Sequence, residues 1–153
     1  MDVKFINPFI TATLHVLKTI AQTDVTADKP FLKKDKAARG DVSGIIGLTG
    51  NVSGTIAVSF TEKSILTIVS RMFGEEMTTL NDEIGDAVGE ISNMISGQAR
   101  QILEEMGRPL QAAIPTVIIG KGHQITHITS QPVIAIPFRT GNGGFTIEVC
   151  FEG

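Results

Sequence analysis

The chain has 153 residues, 42% of them apolar, so it can bury one hydrophobic core, and we expect a single domain over residues 1–153. Its formal net charge of −3 and its pI near 5.6 argue against nucleic acid as a partner, because a phosphate backbone selects a clustered basic face. No apolar run approaches the roughly 18 to 20 residues that span a bilayer, and the first residues do not follow a signal-peptide pattern. We therefore expect a cytoplasmic protein with no membrane partner.

The first part of the chain predicts one helix followed by three strands. Apolar residues recur at helical spacing over residues 4–21. Runs of β-branched and apolar residues then predict strands near 25–34, 42–48 and 52–60. The dipeptide Gly50-Asn51 favours a hairpin turn between the last two strands.

The rest of the chain predicts two helices followed by three more strands. A short helix begins at Thr61 or Glu62 and stops at Gly74, and a long helix spans residues 81–107. Asn81 or Asp82 can cap the first turn of the long helix, and Gly107 followed by Pro109 marks its end. The predicted strands lie near 110–120, 132–138 and 144–151.

A diverged repeat relates the two parts of the chain. Thr49-Gly50-Asn51 aligns with Thr140-Gly141-Asn142, and the residues that follow each turn also match. These matches predict an α+β fold of two diverged helix-plus-three-strand halves, forming a mostly antiparallel six-stranded sheet covered by helices. The other face of the sheet is predicted to be solvated or paired. Upstream, Asn7 aligns with Asn93 but Lys4 stands opposite Glu90, so we expect one working site per chain.

Three features suggest ligand binding at first sight, but a structural interpretation fits each better. The basic cluster over residues 33–39 is predicted to be a solvated loop. The glycines between Gly44 and Gly54 lack the Gly-Lys-Ser/Thr ending of a phosphate loop. His123 and His127 have no neighbouring Cys, Asp or Glu cluster, so we expect no metal site.

The long helix has three faces with different chemistry. One stripe is predicted to face solvent, and it consists of polar residues and one glycine: Glu83, Asp86, Glu90, Asn93, Gly97, Gln101 and Glu104. An apolar stripe nearly opposite comprises Ile84, Val88, Ile91, Ile95, Ile102 and Met106. A third stripe of small residues comprises Gly85, Gly89, Ser92 and Ser96. Because each glycine inside a helix costs up to about 1 kcal/mol relative to Ala, we expect another element to approach this backbone closely.

The polar stripe offers a carboxylate and a carboxamide side by side. Glu90 and Asn93 are one turn apart, and Asp86 lies one turn before them. A carboxylate can pair with a cation, and an amide can hold a water molecule by donating and accepting at once. Spacing alone leaves a second interpretation open, since any solvated helix presents such triplets.

The pattern Asp86-x3-Glu90-x2-Asn93 resembles the Asp/Ser-x3-Glu-x2-Asn signature of the CheC, CheX and FliY family of chemotaxis phosphatases. The start Phe5-Ile6-Asn7-Pro8-Phe9 and the Gly50-Asn51 hairpin are similar to its CheX branch. The resemblance implies a phosphatase that removes the phosphoryl group from the phospho-aspartate of a CheY-like response-regulator receiver domain.

The same resemblance implies a role for each residue of the motif. Glu90 and Asn93 would be catalytic, with Asn93 orienting a water molecule and Glu90 holding a receiver lysine. Asp86, Glu90 and Gly97 would contact the partner. The chain would carry no cofactor or metal of its own, because Mg²⁺ would belong to the receiver's site.

The resemblance also implies a homodimer, and an open sheet supplies a reason, because its edge strands present unpaired N–H and C=O groups. The strand at 144–151 is the predicted edge. The competing hypothesis is a non-catalytic receiver-binding adaptor or a flagellar-switch-type interaction module that uses the same helix. The intact pair of Glu90 and Asn93 argues against it.

Overall fold

The computed structural model describes residues 5–127 and 132–152. The helices are α1 (Ile6–Ala21), α2 (Glu62–Phe73) and α3 (Asp82–Glu105). The strands are β1 (Thr26–Ala27), β2 (Phe31–Lys33), β3 (Val42–Gly50), β4 (Gly54–Phe60), β5 (Leu110–Ala112), β6 (Thr116–Ile119), β7 (Val133–Thr140) and β8 (Gly143–Phe151).

The eight strands fill six positions of one antiparallel sheet. The order is β1-β7-β8-β4-β3-β5, with β2 beside β1 on β7 and β6 beside β5 on β3. The predicted strands at 25–34 and 110–120 are each broken in two, close to Pro30 and Pro115, because proline cannot donate to a strand ladder. The predicted α+β fold with an antiparallel sheet is confirmed, and the described sheet has eight strands in place of six because two predicted strands are divided.

The sheet joins the two halves of the repeat at its centre. Strands β4 and β8 pair so that Ala57 lies opposite Glu148, and the repeat equates these same two positions. The first strands of each half also pair with a strand of the other half: β1 and β2 pair with β7, while β5 and β6 pair with β3. The halves are therefore interlocked.

The helices cover one face of this sheet with a single apolar core. Phe9 of α1, Ile91 of α3, and Ile46 and Ile56 of the sheet are each at most 1% exposed. Phe5 stacks on Phe151 with ring centroids 4.8 Å apart, which fixes the start of α1 against β8. No helix in the described part of the chain is long and apolar enough to cross a membrane.

The prediction that residues 144–151 form an edge strand is wrong. Strand β8 lies between β4 and β7, and the edges of the described sheet are β1 with β2 on one side and β5 with β6 on the other. Thr146 and Glu148, the polar residues that alternate with apolar ones in this strand, are both buried.

A buried polar network lines the other face of the sheet, and it corrects the interpretation of Lys33 as solvated. Lys33 Nζ lies 3.2 Å from one Glu148 oxygen, and His127 Nε2 lies 3.0 Å from the other. These three side chains are at most 5% exposed. This face is therefore covered where Glu148 lies, and the carboxylate there is buried with charged and polar partners, as burial requires.

Candidate functional site

The long helix α3 is fixed at both ends by the predicted caps. Asn81 Oδ1 accepts a hydrogen bond from the Ile84 N–H at 3.1 Å, which satisfies one free donor of the first turn. At the other end, Gly107 adopts a φ of +80°, and the Arg108 N–H donates to the Leu103 carbonyl at 2.8 Å. The cap signals in the sequence therefore placed the helix correctly.

The apolar stripe of α3 is buried along most of its length. Ile84, Val88, Ile91 and Ile95 are each 0% exposed. The last predicted core position is wrong, because Met106 is 45% exposed and Leu103 fills the core instead. Since the opposite face of the helix is thereby turned away from the core, the polar stripe faces solvent.

The small-residue stripe of α3 packs against β6 and β3, as the glycines predicted. A Cβ at Gly85 would lie 3.0 Å from Ile119 Cδ1, and one at Gly89 would lie 3.4 Å from Val117 Cγ2. On β3, a Cβ at Gly44 would overlap with Ser92 Oγ. The absence of side chains at these glycines lets the helix lie directly on the sheet. This contact sets the distance between α3 and the sheet.

The predicted site residues come together on the exposed side of α3. Asp86, Glu90 and Asn93 are exposed, and Gly97 is half-buried one turn beyond Asn93. Within residues 5–127 and 132–152, the side chains of Asp86, Glu90 and Asn93 make no hydrogen bond or ion pair. The helix holds these groups in place through its backbone while their polar atoms stay free for a partner.

A groove of about 810 Å³ runs along this face of α3. Its lining includes the carboxylates of Glu83, Asp86 and Glu90, and among the described residues no Lys, Arg or His lines it. Phe73 at the end of α2 and Ile114 between β5 and β6 also line the groove. The groove lining is therefore acidic and also contains apolar side chains. Such a lining suits a partner that presents a cation among apolar groups.

Two apolar residues of the groove lining were not among the predicted site residues. Phe73 lies at the end of a predicted helix and Ile114 inside a predicted strand, and neither pattern indicates an exposed side chain. They are instead 47% and 89% exposed. The only signal was Pro115, which interrupts the strand, but it does not say which way Ile114 points.

The two histidines considered as ligands have other partners. His123 Nε2 lies 2.7 Å from Ser43 Oγ, and His127 is paired with Glu148. Among the described residues, no three His, Cys, Asp or Glu side chains are grouped so that they could hold a metal ion.

Known structures first define the class of protein. A CheC-like superfamily protein from Shewanella sp. PV-4 superposes with a TM-score of 0.93 at 43% identity, and the match covers 100% of both chains. This chain therefore has a CheC-like fold, and the site helix is part of the region in common.

Sequence comparisons then define the family. The family model described as "Chemotaxis phosphatase CheX" matches residues 42–139, which include the whole of α3. The CheY-P phosphatase CheX of Thermotoga maritima is 27% identical over 126 residues, covering 82% of this chain and 81% of that protein. The chain belongs to the CheX family of chemotaxis phosphatases.

A chain of the CheX–CheY–BeF3–Mg²⁺ complex from Borrelia burgdorferi has the same fold. It gives a TM-score of 0.84 at 24% identity, with 99% of this chain and 100% of that chain covered. At that identity, the likeness concerns the fold.

The contact between Gly44 and Ser92 gives a test of how the helix is held. We expect Gly44→Ala to destabilise the protein by about 1–3 kcal/mol, because the added Cβ meets the Ser92 side chain in a packed core. Thermal or urea unfolding measures this loss.

The matched variant is Ser92→Ala, which removes the hydroxyl oxygen but keeps the Cβ. Ser92 Oγ has no hydrogen-bond partner within the described structure, so this change alone should be neutral or stabilising. Combined with Gly44→Ala, it should recover part of the lost stability. Strictly additive effects of the two changes would show that the two residues are not in contact.

Proposed function

We propose that this protein hydrolyses the phospho-aspartate of a CheY-like receiver domain and so ends a chemotaxis signal. The observation that carries the proposal is the pair of free polar groups, Glu90 and Asn93, on a helix fixed to the sheet. Membership of the CheX family and the likeness to the CheY-P phosphatase of Thermotoga maritima support it. With such a partner, the reaction takes place in the cytoplasm.

In the proposed reaction, the protein supplies placement and charge. The Asn93 carboxamide accepts a hydrogen bond from a water molecule and places it on the side of the phosphorus atom opposite the aspartyl oxygen. The water oxygen forms the new P–O bond as the bond to the aspartyl oxygen breaks, which gives phosphate and a free carboxylate. Orienting a water molecule for in-line attack is a recurring catalytic element in enzymes that hydrolyse phosphoryl groups.

The Glu90 carboxylate has a docking role in this proposal. It lies one turn before Asn93 and pairs with a lysine of the receiver, which brings the amide to the phosphoryl group. Asp86, one turn further back, adds a second negative charge towards the partner. Mg²⁺ is held by the receiver, where it neutralises the phosphoryl oxygens.

The first functional test removes the amide of Asn93. We expect Asn93→Ala to lower the rate of receiver dephosphorylation by about 100-fold or more, since the water molecule is no longer placed. Receiver binding and the melting temperature should stay unchanged, because the Asn93 side chain is exposed and has no partner in the described structure. Loss of phosphate label from a phosphorylated receiver measures the rate.

The matched control is Asn7→Ala, which changes the asparagine that the repeat equates with Asn93. Asn7 is exposed in the first turn of α1, so this variant should fold and retain full activity. The residue aligned with Glu90, Lys4, lies outside the described residues. Equal activity in the two variants would contradict the mechanism and favour the adaptor hypothesis.

Gly97 is proposed to let the receiver approach the backbone of α3. Among the described residues, the nearest atom to a Cβ at this position would be Arg100 Nη2 at 3.9 Å, so the described fold has room for a side chain there. A glycine in mid-helix costs about 1 kcal/mol relative to Ala. Close approach of a partner would account for a cost that the packing of the chain does not explain.

Gly97→Ala therefore tests docking against folding. We expect the unfolding free energy to rise by about 0.5–1 kcal/mol while kcat/KM for the phosphorylated receiver falls. Unfolding curves and initial rates on the same preparation measure the two effects. A variant that is more stable and equally active would show that Gly97 has no part in docking.

We also propose a homodimer formed through the β1 and β2 edge. Phe31 and Leu32 on β2 are 40% and 57% exposed, and β2 has a neighbour on one side only within the described sheet. Pairing two such edges would bury these side chains and satisfy the free backbone groups. The groove is lined by the β5–β6 side of the sheet, so both sites would stay open.

Sedimentation at micromolar concentration should therefore give twice the 16.3 kDa chain mass. Leu32→Glu should shift the protein to monomers, because it places a charge in the apolar contact. Gln111→Glu, on β5 at the other edge, is the control and should leave the mass unchanged. A wild-type monomer would contradict the homodimer and leave the phosphatase proposal standing.

A further inference from the structure

A β-bulge places three residues of the β5–β6 edge opposite two residues of β3. Ala112 pairs with Leu48, but Thr116 pairs with Ile45, so Ala113, Ile114 and Pro115 lie opposite Ile46 and Gly47. The Ala113 N–H donates to the Gly47 carbonyl at 2.9 Å, which anchors the first bulge residue. Bulges at sheet edges re-aim a side chain away from the regular pleat.

The re-aimed side chain is Ile114, which is 89% exposed and lines the acidic groove. Its exposure is the highest among the large apolar residues of the described chain. Pro115 restricts the residue before it to extended backbone conformations, so the backbone of Ile114 has little freedom to change the direction of its side chain. A single exposed apolar side chain is ordinary, but this one stands beside the proposed catalytic pair.

The other half of the repeat contains the same bulge with a different side chain. Ala27 pairs with Phe138 and Phe31 with Ala135, so Asp28, Lys29 and Pro30 lie opposite two residues of β7. The Asp28 N–H donates to the Pro137 carbonyl at 2.8 Å, as Ala113 does to Gly47. The residue before the proline is Lys29 here, so the bulge itself does not need an isoleucine.

We propose that Ile114 is an apolar docking residue that sets the affinity for the phosphorylated receiver, an inference that rests on the proposed function. The occupant of the groove is the receiver surface around the phospho-aspartate, which presents a lysine to the carboxylates of the groove lining. Charge complementarity selects this occupant, because Glu83, Asp86 and Glu90 line the groove and no basic residue of the described chain does. Ile114 lines the groove, and its side chain packs on apolar groups of the receiver beside that lysine. It therefore contributes to binding and not to the chemical step.

The test is Ile114→Ser in the full chain, assayed with phosphorylated receiver over a range of concentrations. We expect KM to rise about ten-fold, the effect of removing a buried apolar side chain from a contact, with kcat unchanged. Ile114→Val should restore most of the affinity. Because the side chain is almost fully exposed, the melting temperature should not move.

The control is Met106→Ser, which removes an apolar side chain of 45% exposure at the far end of α3. It should leave KM unchanged. An unchanged KM for Ile114→Ser, or a fall in kcat alone, would overturn the docking role while Asn93-dependent turnover upholds the proposed function. Wild-type protein that does not accelerate receiver dephosphorylation would overturn the proposed function and the docking role together.

Discussion

The close contact between α3 and the sheet is the constraint on which the rest of the site depends. Gly44 leaves room for Ser92, and the glycines of α3 leave room for Val117 and Ile119 of β6. With the apolar stripe locked into the core, the opposite stripe can only face solvent. The carboxylate of Glu90 and the amide of Asn93 are thereby presented on a rigid support, and groups that act by placement require such a support.

The duplicated architecture explains how a chain of this size holds such a helix. The edge strands of each half pair with a strand of the other half, so the strands under α3 come from both halves. The halves have since diverged at matching positions. Lys29 and Ile114 occupy the same place in two equivalent bulges, and the isoleucine stands in the half that carries the polar pair.

Local signals in the sequence predicted the helices, the Gly50-Asn51 hairpin and the exposed stripe of α3 that carries the candidate site residues. Asn81 and Gly107 specify the ends of α3 through their own backbone neighbours, and the motif lies within two turns of one helix. The buried state of Glu148 could not be predicted in this way, since it depends on Lys33 and His127, which are distant in sequence. The exposure of Ile114 depends on a shift in strand register, which alternation of residues does not reveal.

The measurement that tests the proposed mechanism most directly is the structure of this protein bound to a receiver that carries BeF3 in place of the phosphoryl group, together with Mg²⁺. Asn93 should lie within about 3 Å of a water molecule in line with the beryllium atom. Glu90 should contact a receiver lysine. A receiver bound to another face of the protein, with Asn93 exposed to solvent, would contradict the mechanism.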